Sequence, residues 1–172
     1  MKRDRTGMID DLRTFLRNMV TIHRTIPGAD ERRFICIEDL VLRHGQEFSW
    51  RQNKHPLEPQ QCFTRAYRLA TRYPHKWVYV EGYAVSPTIP LAIHHAWVQP
   101  ASAPGIAVEL AWRGANAAVP YLGVPIRPEY LRSVYRASGR LRLYNVLDAY
   151  WLHHPLVTGK TPVEDVLWRP AR

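Results

Sequence analysis

The sequence predicts an α+β fold: N-terminal helices, then a cysteine-bearing helix packed on an antiparallel sheet of about three to five strands, then C-terminal helices. Apolar residues fall at helical spacing in the first part of the 172-residue chain. From residue 76 the pattern changes to short runs rich in β-branched and aromatic residues, separated by proline, glycine and serine. Because helices and strands are grouped rather than alternating, βαβ units are not expected.

Three helices are expected before the sheet, and their apolar residues recur at helical spacing over 8–25, about 31–43 and about 59–73. Asp10 and Asp11 lie near the positive end of the first helix dipole, and Gly45 is the stop of the second helix. Pro59 suits the first turn of the third helix. The intervening residues 45–60, rich in Gln, Asn and Pro, are interpreted as a polar loop.

The strand-like runs are consecutive and short, as in an antiparallel sheet, and cover 76–85, 91–99, 105–112 and 121–126. Two further helices are expected near 128–138 and 144–152. The chain is expected to form one domain over 1–172, with a helical part over 1–45, a core over 57–126 and C-terminal helices and tail over 127–172.

Composition restricts the class of protein. The net charge of +9 favours acidic partners, but the arginines are spread along the chain and no nucleic-acid-binding motif is present. No apolar run is long enough for a bilayer, and charges interrupt the N-terminus where a signal core would lie. The expected location is the cytoplasm, with signal-less export as the alternative, and no membrane partner is expected.

The chain has two cysteines and no C-x-x-C pair, so neither a disulfide framework nor a thiolate zinc site is expected, and no metal or cofactor is assigned. Cys36 lies among apolar residues and is interpreted as core. Cys62 follows Pro59 at the front of an amphipathic helix, where free backbone N–H groups favour a thiolate and can stabilise an oxyanion. The histidine doublet at 153–154 precedes a proline in an expected loop and is not assigned as a metal site.

Imidazole for a cysteine nucleophile is available at His94 and His95, in the second strand. Neighbouring residues on a strand point to opposite faces, so at most one of them can face Cys62, and alternation alone does not choose. On the next strand Glu109 is an acidic residue in an apolar run. It either bonds to His95 and orients the imidazole, or lies on the solvent face of a half-exposed sheet.

Five segments occur in order over about residues 36–126: CFTRAYRLA, YVEGYAV, HHAWV, AVELAW and YLGVPI. Together they resemble the papain-like and transglutaminase-like cysteine-hydrolase domains of small bacterial and phage proteins. The resemblance implies Cys62 as nucleophile and His95, which Ala96 and Trp97 follow, as base. The third position, commonly Asp in such domains, falls at Glu109.

The resemblance also implies site-lining roles, and the candidates are Glu81, Trp97 and His94. Papain-like enzymes place a glutamine upstream of the cysteine for the oxyanion, and Gln61, Gln60 and Asn53 are the candidates here. Glu81 has the alternative of pairing with an arginine. The aromatic side chains of the strands, Trp97 among them, have the alternative of filling the core between sheet and helices.

The function expected from these features is a thiol-dependent hydrolase or acyl-transferase that acts on an amide or thioester bond. Protease, amidase, deamidase and transglutaminase chemistry share the same catalytic group, and the expected substrate is a peptide, protein or other amide-containing molecule. A catalytically inactive interaction module of the same fold is the first alternative. A basic nucleic-acid-binding protein is the less favoured one.

Overall fold

A computed structural model describes residues 5–51, 61–86, 89, 91–112, 119–137, 145–147, 156 and 159–170. The helices of this part of the chain are α1 (Arg5–Arg24), α2 (Ile37–His44), α3 (Cys62–Arg72), α4 (Pro128–Ala137) and α5 (Val163–Val166). Its strands are β1 (Gln46–Arg51), β2 (Trp77–Val85), β3 (Ala92–Pro100), β4 (Ile106–Val108) and β5 (Tyr121–Ile126).

The five strands close into a barrel in the order β1–β4–β3–β2–β5, and β5 pairs with β1 to complete it. The expected papain-like fold with an antiparallel sheet of about three to five strands is therefore wrong, because the sheet is closed, although the chain is α+β. β1 closes the barrel by pairing parallel with β4 and antiparallel with β5. It lies in the region interpreted as a polar loop and outside the predicted core over 57–126.

The helix predictions differ from the structure mainly at their boundaries. α1 starts three residues before the predicted position, and α4 confirms the helix expected near 128–138. The second helix starts later than predicted, at Ile37, because the Asp39 carboxylate accepts the Ile35 backbone N–H at 3.0 Å and holds the preceding chain outside the helix. Residues 59 and 60 lie outside the described residues, as does most of the helix expected over 144–152. None of the described helices combines the length and the hydropathy needed to span a bilayer.

Apolar side chains pack in two main clusters, one inside the barrel and one between the barrel and the helices. The interior cluster comprises Phe48, Val80, Ala84, Trp97, Ala107, Val119 and Tyr121. Alternate residues of the same strands face the helices, where they pack against buried residues of α1, α2, α3 and α4 such as Leu12, Leu16, Leu40, Ala66 and Leu131. Neighbouring residues of one strand therefore meet quite different surroundings.

Two glycines allow the barrel to close tightly around a tryptophan. Gly82 of β2 is paired with Gly123 of β5, and a Cβ on Gly82 would clash with the backbone of β5. A Cβ on Gly123 would lie 2.6 Å from the Trp97 ring. Glycine at both positions therefore lets β2 and β5 approach each other beside the fully buried Trp97.

Candidate active site

Cys62 is the first residue of α3, half-buried and present as a free thiol. The first backbone N–H groups of a helix have no intrahelical acceptor, and the dipole gives this end a partial positive charge. No acidic side chain lies in the first turn of α3, and the Gln61 side chain makes no capping hydrogen bond there. The thiol thus lies in a partly accessible, electropositive position of the kind that stabilises a thiolate.

Two contacts fix α3 against the barrel. Ala66 and Ala70 are fully buried, and their small side chains let the helix approach the sheet closely. The Arg65 guanidinium donates to the Leu110 carbonyl at 3.0 Å, which ties the cysteine-bearing helix to the segment that follows β4. This segment begins with Glu109, so one hydrogen bond connects the two parts of the chain that carry the candidate residues.

His95 and Glu109 form a buried pair. His95 lies on the face of β3 that also carries Trp97 of the barrel interior, and Glu109 directly follows β4. The His95 Nε2 atom lies 2.8 Å from the Glu109 Oε2 atom, and the two residues are 1% and 2% exposed. Of the two arrangements expected for Glu109, the structure has the hydrogen-bonded one and not the solvent-facing one.

Five donors surround the Glu109 carboxylate. Besides His95, the Tyr121 hydroxyl donates to Oε2 at 2.8 Å. The other oxygen, Oε1, accepts backbone N–H groups from Leu110 at 2.8 Å, Ala111 at 2.7 Å and Trp112 at 3.1 Å. A carboxylate satisfied in this way is fixed in position and in its charged form.

The Trp112 ring covers the imidazole. The centroids of the Trp112 and His95 rings are 3.9 Å apart and their planes differ by 11°, which is parallel stacking. Trp97 and Tyr121 approach the same imidazole at 6.3 Å and 6.4 Å. The imidazole therefore cannot rotate without displacing an aromatic ring.

The electrostatics of the pair favour opposite charges. Burial alone lowers the pKa of the His95 imidazole, but the charge of Glu109 and hydrogen bonds to Cys62 and Glu109 outweigh burial and raise the pKa from 6.5 to about 9. Burial alone raises the pKa of the Glu109 carboxyl, but His95 and the backbone N–H groups of Ala111 and Trp112 lower it from 4.5 to about 2. The two opposite shifts favour the imidazolium and carboxylate forms of the pair.

The third candidate lies near the same imidazole, since the Cys62 side chain is among the groups that raise the pKa of His95. Since Nε2 of His95 is occupied by Glu109, Nδ1 is the ring nitrogen that remains for the sulfur. Cys62, His95 and Glu109 are thus in one group, in which both the sulfur and the carboxylate act on the imidazole. This is the chemical order of a nucleophile, a base and an orienting acid.

His94 lies on the opposite face of β3 and has a carboxylate of its own. Its Nε2 lies 3.0 Å from Glu81 Oε1, an ion-pair distance, although the direction is not that of a hydrogen bond. The His94 ring packs against the rings of Phe63 and Tyr83. Alternation along the strand could not choose between the two histidines, and the structure gives the cysteine contact to His95.

Glu81 is fully buried and anchors a distant segment. Its carboxylate accepts the Tyr79 hydroxyl at 2.6 Å and the backbone N–H groups of Val146 at 2.8 Å and Leu147 at 3.0 Å. None of these partners of the Glu81 carboxylate is an arginine. Glu81 therefore ties the chain after α4 to the barrel and lies beside His94.

The remaining predicted site residues lie in other places. Trp97 is fully buried in the barrel interior and forms part of the wall behind His95. Gln61 is exposed at the N-terminus of α3, whereas Gln60 and Asn53 lie outside the described residues. Cys36 is 1% exposed, which confirms its assignment to the interior, and burial followed by a hydrogen bond to Glu38 raises the pKa of its thiol to about 12.

Three residues support the site although the sequence did not predict a role for them there: Arg65, Trp112 and Tyr121. Trp112 and Tyr121 are aromatic residues in strand-like runs, and such residues fill cores in most sheets. The proximity of Trp112 to Glu109 along the chain was the one signal available for it. Tyr121 and Arg65 are distant in sequence from the residues they contact, Glu109 and Leu110, and the closed barrel brings them together.

Comparison with known proteins adds no further identification, since no family model, curated protein or solved structure matches the chain. The family resemblance seen in the five segments stays a prediction. The case for a function accordingly rests on the geometry of Cys62, His95 and Glu109.

Proposed function

We propose that the protein is a thiol-dependent hydrolase or acyl-transferase that acts on an amide or thioester bond. Cys62 is the nucleophile, His95 the proton donor and acceptor, and Glu109 the residue that orients His95. The observation that carries the proposal is the 2.8 Å contact between His95 and Glu109 beside a half-buried cysteine at a helix N-terminus.

The energetics of the pair support a catalytic role over a structural one. Removing an imidazolium and a carboxylate from water costs several kcal/mol each, and well-packed apolar residues would often stabilise the same space as well or better. Here the pair is 1–2% exposed and additionally takes up a tyrosine hydroxyl and three backbone N–H groups. Such an arrangement fixes one histidine rotamer next to the sulfur, which a non-catalytic interaction module would not require.

The reaction follows from the charges. The His95 imidazolium and the helix N-terminus stabilise the Cys62 thiolate, which attacks the carbonyl carbon and forms a C–S bond. Backbone N–H groups in the first turn of α3 stabilise the oxyanion. When the intermediate collapses, the bond to the leaving group breaks and the leaving group takes the Nδ1 proton of His95.

The acyl group is then released from Cys62. Neutral His95 takes a proton from water or an amine as that nucleophile attacks the thioester. The C–S bond breaks, and the thiolate and imidazolium are regenerated. Hydrolysis and acyl transfer differ only in which nucleophile enters, so both belong to the proposal.

The proposal is tested by trapping the acyl-enzyme. The protein is mixed with a panel of thioester and activated amide substrates, quenched in acid and analysed by intact mass and peptide mapping. The wild type should carry the acyl group on Cys62 and turn substrate over, and His75→Gln, a change of an exposed histidine, should behave as the wild type.

Cys62→Ala should lose the acyl adduct and the turnover. His95→Gln should lower kcat/KM by about 10²- to 10⁴-fold, the usual contribution of a general acid–base group. Turnover by the wild type that Cys62→Ala retains in full would contradict the proposal. Absence of any adduct or turnover across the panel would favour the interaction module.

A further inference from the structure

A second group of chemically active side chains lies at the junction of α1 and α2, away from His95 and Glu109. His23 comes from the last turn of α1, Cys36 is the residue that precedes α2, and Glu38 lies in the first turn of α2. In the part of the chain that the structure describes, their donor atoms all lie within 4.8 Å of one another. The donors are an imidazole nitrogen, a sulfur and a carboxylate oxygen, the set that Zn²⁺ prefers in proteins.

We infer that His23, Cys36 and Glu38 bind one Zn²⁺ ion. Three points at most 4.8 Å apart have a common centre no more than about 2.8 Å from each, and Zn–N, Zn–O and Zn–S bonds are about 2.0–2.3 Å. Binding therefore needs only small side-chain movements. The ion replaces the Cys36 thiol proton, which is released to solvent, and coordinates the thiolate.

The contact between His23 and Glu38 supports an ion over a direct bond. His23 Nδ1 lies 3.8 Å from Glu38 Oε2, which is too long for a hydrogen bond. Two ligand atoms on one tetrahedral zinc ion are separated by about 3.3–3.6 Å when their bonds are about 2.0–2.2 Å. The observed 3.8 Å between His23 Nδ1 and Glu38 Oε2 is close to this ligand–ligand separation.

The Glu38 carboxylate is oriented by a hydrogen bond from a second residue, as metal-ligating carboxylates usually are. Glu38 is 6% exposed, and its other oxygen, Oε1, accepts the Tyr83 hydroxyl at 2.6 Å. This bond leaves Oε2 directed to His23. Ligating carboxylates are usually oriented by such outer hydrogen bonds.

The Cys36 sulfur and the exposed edge of His23 supply the remaining features of a zinc site. Cys36 makes no side-chain cap to α2, and its thiol bonds instead to the Glu38 side chain, the contact that the ion would replace. The His23 side chain is 33% exposed, which gives water a route to a fourth position on the ion. Three protein ligands and one water are a common zinc arrangement. The sequence contains no paired-cysteine zinc motif at this place, because the three ligands come from two helix ends.

The test is zinc binding by the full-length protein. Chelator-treated protein is titrated with Zn²⁺ against a chromophoric chelator, and bound metal is counted by mass spectrometry. Wild type, Cys62→Ser and His75→Ala should bind one ion per chain. Co²⁺ in the same position should give the near-ultraviolet absorption band of thiolate ligation.

The variants locate the site. His23→Ala and Cys36→Ser should lower zinc affinity by more than about 100-fold, and Tyr83→Phe by about 10- to 100-fold, the usual effect of an outer partner. Because His23 is partly exposed, His23→Ala keeps the test valid if Cys36→Ser does not fold. Equal zinc affinity in wild type and His23→Ala, no uptake by the wild type, or uptake lost only in Cys62→Ser would overturn the inference.

Discussion

The imidazole of His95 and the carboxylate of Glu109 lie 2.8 Å apart in a space that is almost closed to water. Neither strand alone determines this contact. His95 lies within β3, Glu109 directly follows β4, and the two strands pair through Val98 and Val108. The barrel therefore brings a base and its orienting acid together, and α3 adds the cysteine.

Glu109→Gln should destabilise the protein and slow the proposed reaction. The amide can still accept backbone N–H groups, but it carries no charge for His95. Breaking a buried ion pair costs about 3–5 kcal/mol, and loss of the orienting charge should lower kcat by about 10²- to 10⁴-fold. Urea unfolding and steady-state kinetics measure the two effects.

The matched control is Glu47→Gln. Glu47 makes a 2.9 Å ion pair with Arg13, but both side chains are 30–44% exposed. Loss of such a pair should change the unfolding free energy by less than about 1 kcal/mol. Equal effects in Glu47→Gln and Glu109→Gln would show that burial does not strengthen the His95–Glu109 pair.

Tyr121→Phe should weaken the orienting group without removing it. The change deletes the 2.8 Å hydrogen bond to Glu109 Oε2. Hydrogen bonds to charged groups contribute about 1.5–3 kcal/mol, so the unfolding free energy should fall by that amount. The His95 titration, followed by NMR, should shift as well.

Tyr83→Phe is the control for this prediction. It also removes a buried hydroxyl from a carboxylate, at 2.6 Å from Glu38. Its loss of stability should be similar, while the His95 titration should stay that of the wild type. A purely structural Tyr121 would give the same His95 titration in both variants.

Trp112→Ala should free the imidazole to move. The stacked ring at 3.9 Å restricts His95 to one orientation, and a displacement of about 1 Å in a catalytic group costs about 100-fold in rate. The expected result is a fall in kcat of that order with a small change in KM. Trp112→Phe should restore much of kcat because a flat ring can still stack.

Trp77→Phe provides the comparison, since Trp77 is a half-buried tryptophan of β2 that packs against the helix-facing cluster. It should leave kcat near the wild-type value. A kcat for Trp112→Ala within twofold of Trp77→Phe would show that stacking on His95 is not needed.

The difference in stability between wild type and Glu109→Gln should depend on pH in a defined way. The pKa of His95 is raised from 6.5 to about 9, so its contribution is complete below about 6.5 and is lost as pH rises through about 9. The pKa of Glu109 is lowered from 4.5 to about 2, so its contribution is present above about 4.5 and is lost as pH falls through about 2.

The pair should therefore contribute most between about pH 4.5 and 6.5. Urea unfolding of both proteins from pH 3 to pH 10, in steps of about one unit, measures this profile. A stability difference that does not vary with pH would contradict the charged state assigned to the pair.

Local patterns predicted the elements near the site better than they predicted the fold. β2, β3 and β5 have dense runs of β-branched and aromatic residues, and the structure has strands there. β1 was missed because it is mostly polar and exposed, with Phe48 as its single fully buried residue. Its pairing with β4 and β5 is a tertiary property, and a short polar strand carries little local signal for it.

The candidate site was likewise predicted only where a local pattern marks a residue. Cys62 could be selected because a helix start favours a thiolate, and Glu109 because an acidic residue in an apolar run needs a partner. Strand alternation could not separate His94 from His95, because it puts them on opposite faces and only the barrel shows which face is the interior; the family resemblance alone favoured His95. Arg65 bonds to Leu110, 45 residues away along the chain, and Tyr121 bonds to Glu109, 12 residues away, and no local pattern reveals either contact.

The pH dependence of Cys62 alkylation in the wild type and in His95→Gln tests whether Cys62 pairs with His95. Rates are measured by peptide mapping from about pH 5 to pH 9, with buried Cys36 of the same chain as the reference thiol. An ordinary thiol loses roughly 100-fold in rate between pH 8 and pH 6 as its thiolate fraction falls.

If Cys62 forms an ion pair with His95, its rate should decrease less between pH 8 and pH 6 in the wild type than in His95→Gln, and it should stay far above that of Cys36. In His95→Gln the full decrease of an ordinary thiol should return. Cys62 alkylation that follows the same pH profile in both proteins, or that is as slow as at Cys36, would contradict the account.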